Sequence, residues 1–131
     1  MTPDEAPDAI VGAVRALVEY EASMADYVAL ARRVTSSGSL RRLAADRARL
    51  AGDRRRVRRE LKAMLGDFTV ALRAQGVPPE RMVITIKSLA DRALGPVHSL
   101  HTNALRADLL LWAIESYYAT PSHEDQPVHS D

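Results

Sequence analysis

Between Arg41 and Lys62 the chain carries ten basic residues against three acids, Asp46, Asp53 and Glu60. Cations at that density along one helix can lie against phosphates, each neutralised phosphate releasing a counterion. The same charges can instead pair inside a helical bundle, and register decides between the two uses. The stretch is proline-free from Ser39 to Gln75. Leu40, Leu43, Arg47, Leu50, Arg54, Val57, Leu61, Met64 and Phe68 follow one another in alternating steps of three and four, the spacing of a coiled-coil seam. Folded back on the preceding helix, residue i lies roughly level with residue 74 − i. Glu19 and Glu21 then stand beside Asp53 to Arg55, Asp26 stands beside Ala48, and Tyr20 is placed to stack on Arg54. Within the long helix the spacing offers Arg42–Asp46, Arg49–Asp53 and Arg56–Glu60 pairs at i,i+4. Arg41, Arg55 and Arg59 are left pointing away from the seam, and these three are the candidate residues for a protein partner or for nucleic acid. Few aromatic residues accompany them, which argues against stacking on single strands.

His98 and His101 are the candidates for metal chemistry. A last helix begun at Val97 would align them with Asp108 and Glu115, a ligand set suited to zinc. Gly95-Pro96 just upstream interrupts such a helix, and the spacing matches no ligand motif. Neither a metal nor another cofactor is expected, and the two residues read as exposed loop histidines. Catalytic arrangements are equally sparse. The glycines are isolated, so no phosphate-cradling loop is present, and the serines lie apart from any evident base. With no cysteine in the chain, disulfides and thiolate chemistry are excluded. The sequence therefore predicts a protein that is not an enzyme.

The elements that position these residues follow from periodicity and breaks. The 131 residues suit one domain, and a net charge of +1 gives no global field toward nucleic acid or an anionic membrane. Arginine outnumbers lysine 16 to 2, a usage that fits a GC-rich bacterial genome and weakens any inference from arginine count alone. Residues 1–7 read as a flexible start. A first helix spans about 8–34, with Ile10, Val11, Val14, Leu17 and Val18 on its apolar face. A polar loop at Thr35 to Ser39 follows, in which Gly38 suits a left-handed turn and Ser39 an N-cap. The second helix, 39–75, outreaches the first, so other elements must cover Leu61, Leu65, Phe68 and Leu72.

Gly76-Val77-Pro78-Pro79 ends that helix. A third helix is expected over 80–94, despite its β-branched Val83-Ile84-Thr85-Ile86, because Met82, Ile86, Leu89 and Ala93 share a face. A fourth, 104–119, capped by Asn103, is apolar nearly all round and reads as the most buried helix. Residues 120–131 read as a disordered tail. Tyr117 and Tyr118 are adjacent and point about 100° apart, so they cannot both face one core. They are the interface candidates.

The expected fold is all-α: a long antiparallel, coiled-coil-like hairpin with two shorter C-terminal helices, together a four-helix bundle. The longest apolar run, Leu109 to Ile114, is too short to span a membrane, and the acidic N-terminus lacks a secretory pattern, so the cytoplasm is expected. The expected function is a non-enzymatic interaction, assembly or regulatory module. Its partner is a protein or a second copy of itself in a homo-oligomer, with nucleic-acid binding through the basic face of the second helix as the alternative.

Overall fold

The computed structural model describes residues 5–33, 37–96 and 98–119. Four helices make up this part of the chain: α1 (Ala6–Ala31), α2 (Ser37–Ala74), α3 (Pro79–Leu94) and α4 (Leu100–Tyr118). α1 packs against α2 and α3, and α4 packs against the same two, giving an all-α four-helix bundle. The Glu21–Arg54 pair, 2.7 Å apart, marks the antiparallel register of α1 and α2. α2 and α4 run parallel and in step. Arg58 meets Asp108 fifty positions later, Lys62 lies over Trp112, and Gly66 lies against Ser116.

The core occupies only one end of the molecule. It is built from Ile10, Val14 and Leu17 of α1, Leu61 and Leu65 of α2, Met82 and Ile86 of α3, and Leu109, Trp112 and Ala113 of α4. Phe68 and Leu72 pack against its edge. With Glu21 level with Arg54, Val14 and Ile10 of α1 lie level with Leu61 and Leu65, so only the last turn or so of α2 outreaches α1, a later overhang than the one expected from Leu61 onward. Between Val18 and Glu60, by contrast, no described side chain is fully buried. This half of the hairpin projects as a two-helix arm.

The turns explain how two short helices reach their places. Gly76 (φ 86°) and Gly95 (φ 65°) adopt conformations that β-carbon-bearing residues avoid, and each ends a helix. Tyr117 donates its hydroxyl to the carbonyl of Val77 at 2.7 Å, and Arg73 donates to the carbonyls of Tyr117 and Ala119, tying the end of α4 to the α2–α3 turn. At the opposite turn Arg106 bonds both Asp91 and the Gly95 carbonyl.

Several expected boundaries shift. α4 starts at Leu100 rather than Ala104, because Ser99 and Thr102 form a reciprocal capping box: the Thr102 amide donates to Ser99 Oγ at 3.1 Å, and the Ser99 amide to Thr102 Oγ1 at 2.8 Å. Asn103, the expected cap, lies inside the helix. α2 starts at Ser37, so Gly38 and Ser39 are helical and not the left-handed turn and cap. Ala6 and Pro7 belong to α1, proline being suited to a first turn, and α1 ends at Ala31. The expected loop residues Thr35 and Ser36 and the expected tail 120–131 lie outside the described residues, as do residues 1–4 of the expected flexible start.

Candidate association face and neighbouring cleft

α4 is the departure with most bearing on function. Its inner face is the bundle core: Leu105, Leu109, Trp112, Ala113 and Tyr117 are buried. Its outer face is also apolar, yet open to solvent. Leu100 is 88% exposed, Leu111 52%, Ile114 40% and Tyr118 64%. With the exposed Ala104 and Ala107, they follow one another in steps of 4, 3, 4, 3 and 4, the seam spacing of a coiled coil. α4 does hold the most buried residues among the described helices, as expected, but its apolarity all round does not come from being enclosed all round. It stands at a corner of the bundle, and its all-round apolarity comes from two opposite apolar faces, of which the fold covers one. The two interface candidates separate accordingly. Tyr117 turns into the core, while Tyr118 ends the exposed stripe, its ring edge-on to Tyr117 with centroids 5.1 Å apart.

The flanks of the stripe differ in character. On the α2 side stand His101, Asp108 and Glu115; on the α3 side, Asn103, Leu110 and the buried Tyr117. Asp108 accepts from Arg58 at 2.7 Å, and the Arg58 guanidinium lies 4.8 Å from the centroid of the Trp112 ring. Arg58 thus covers one side of the tryptophan while neutralising the acid beside it.

Beside this flank, where the arm diverges from α4, lies a cleft of about 510 Å³. It is lined by Leu17, Val18, Ala22 and Ala25 of α1 with Ala104 and Leu105 of α4, and by the polar Glu21, Arg54, Arg58, His101 and Asp108. The volume suits a small ligand. The charges that line it, however, are already matched: Arg54 Nε donates to Glu21 at 2.7 Å, and Arg58 to Asp108. His101 stands 4.0 Å from Glu21, beyond hydrogen-bond reach. His98 lies outside the helix, with Nδ1 3.4 Å from Asn103 Oδ1. The two histidines are therefore directed to different neighbours, and among the described residues no three His, Asp or Glu side chains gather in a metal-binding arrangement.

The basic stretch lies mostly on the arm. Arg54 pairs with Glu21, one position on from the level expected, and the expected stacking of Tyr20 on Arg54 is not seen; the ring that cations reach among the described residues is Trp112, from Arg58 and Lys62. The intrahelical pairs are Asp46–Arg49 (2.6 Å) and Asp53–Arg56 (3.3 Å), at i,i+3 and not the expected i,i+4. In both pairs the acid precedes the base, the order that side-chain lean and the helix dipole favour. Arg41, Arg55 and Arg59 are exposed and make no ion pair among the described residues. Arg41 and Arg59 are five turns apart and project in one direction, about 27 Å from each other, with Arg55 one turn before Arg59.

No helix among the described residues is long and apolar enough to cross a membrane. Comparison with family models, curated proteins and solved structures returned no match, so function has to be read from this geometry.

Proposed function

We propose that the chain is a non-enzymatic helical association module that pairs with a second copy of itself through the outer face of α4. The observation that carries this reading is the exposed seam from Leu100 to Tyr118 on a helix whose opposite face is already in the core. Scattered surface leucines need no explanation, but a contiguous stripe at coiled-coil spacing along a whole helix marks a contact surface. The non-enzymatic part rests on the cleft, where each arginine is paired with a carboxylate and His101 is out of reach of Glu21. The same reading places the protein in the cytoplasm, in keeping with its cysteine-free sequence. Light scattering at micromolar concentration is expected to give a mass near twice 14.4 kDa. A monomer mass that persists at high concentration contradicts the proposal.

A second reading has its own support in Arg41, Arg55 and Arg59, an exposed row of cations along the projecting arm. Such a row suits a phosphate backbone. On this reading, retention on heparin and duplex DNA falls steeply with salt and is lost in an Arg55→Glu/Arg59→Glu variant. Equal and negligible retention of parent and variant at low salt excludes it.

A further inference from the structure

Resting on the self-association proposed above, we infer that the two copies pair with their α4 helices antiparallel, about a two-fold axis level with Leu109. The sizes of the seam residues carry the inference. The first half of the stripe offers Ala104 and Ala107, and the second half Leu111 and Ile114. Antiparallel pairing sets Leu100 against Tyr118 of the other copy, Ala104 against its Ile114, and Ala107 against its Leu111. Each small residue then receives a large one, the condition for filling a helix–helix seam without voids. Parallel pairing instead sets alanine on alanine in one half and crowds leucine, isoleucine and tyrosine into the other.

Charge gives the same orientation. The flank of α4 on the α2 side carries His101 at one end and Glu115 at the other, with Asp108 between them. In the antiparallel arrangement this flank meets its own copy, so His101 of each protomer stands near Glu115 of the other, at both ends of the contact. The two Asp108 side chains approach near the axis, where each is neutralised by the Arg58 of its own chain at 2.7 Å. On the α3 side Leu110 meets Leu110. Parallel pairing would set Asp108 against Asn103 and Glu115 against Leu110, leaving Glu115 buried beside an apolar side chain without a cation. A two-fold axis also makes the contact self-complementary, which closes the assembly at two copies.

The absence of cysteine from the chain makes the test direct. Ala104→Cys and Ile114→Cys are prepared separately, one with a mass tag, and oxidised alone and as an equimolar mixture. In the antiparallel pair the two 104 positions lie about 15 Å apart along the axis, as do the two 114 positions. A disulfide tolerates a Cα separation of only about 4.4–6.8 Å. The mixture is therefore expected to yield the 104–114 cross-link in at least tenfold excess over either homodimer. Predominant 104–104 cross-linking would establish parallel pairing, overturning this inference while leaving self-association intact. A dimer by mass that forms neither cross-link uses another surface, which overturns the inference as well. A monomer by mass overturns both.

Discussion

Tyr117 and Tyr118 are consecutive and their rings are in edge-on contact, yet one is 8% exposed and the other 64%. The boundary between the covered and uncovered faces of α4 runs between these two side chains. Tyr117 belongs to the fold and Tyr118 to the surface that the fold leaves open.

The pair separates stability from association. Tyr117→Ala removes a core ring and leaves the Val77 carbonyl without its donor, and is expected to cost about 3–5 kcal/mol in urea unfolding. Tyr118→Ala should change monomer stability by no more than about 0.5 kcal/mol, while weakening association several-fold. Equal destabilisation by both would contradict the burial difference.

Gly66 and Gly52 lie in the same helix and should respond oppositely to an added side chain. A β-carbon at Gly66 would stand 3.1 Å from Ser116 Oγ, where α2 and α4 approach closely, whereas at Gly52 the nearest atom is an arginine tip 3.9 Å away. Gly66→Val is expected to destabilise by about 1–3 kcal/mol. Gly52→Ala should stabilise by about 0.5–1 kcal/mol through helix propensity. Thermal unfolding of the two variants decides the matter.

The Glu21–Arg54 pair is about a third exposed on both sides, so solvent screens it. A double-mutant cycle with Glu21→Gln and Arg54→Met should give a coupling of about 0.5–1 kcal/mol that shrinks in molar salt. A coupling indistinguishable from zero at low salt would show that the pair marks the hairpin register without stabilising it.

The capping box that starts α4 predicts a modest and specific loss. Ser99→Ala removes the acceptor for the Thr102 amide and should cost about 0.5–2 kcal/mol, with amide exchange accelerating first over Leu100 to Asn103. Uniform exchange along the chain would argue against a local cap.

These outcomes bear on what the sequence made legible. The all-α bundle, the hairpin and its register to within about one residue follow from periodicity and loop position, because seam spacing and chain reversal leave little freedom to the first two helices; that Arg54 meets Glu21 and not Tyr20 does not. The burial of Leu61 and Leu65 was legible too, but not that α1 itself reaches them, through Val14 and Ile10. The outward face of α4 was not. A helix with two apolar faces carries no directional signal, and which face turns inward is set by distant groups: Arg106 at the α3–α4 turn, and Arg73 with Val77 at the other end. The start of α4 was missed because its box uses threonine where glutamate or glutamine is the usual partner. The arginine row was read correctly as far as exposure is concerned, since Arg41, Arg55 and Arg59 do lie outside the seam. Its partner is a matter for the heparin and DNA measurement.

Sedimentation equilibrium of the parent chain beside a Leu111→Arg/Ile114→Arg variant tests the central claim most directly. Both positions are exposed, so the variant should keep the parent's helical circular dichroism and unfolding midpoint. The parent is predicted to sediment near twice 14.4 kDa, and the variant as a monomer with association at least tenfold weaker. A variant that remains dimeric with the parent's affinity, or a parent that is itself monomeric throughout, would contradict the account.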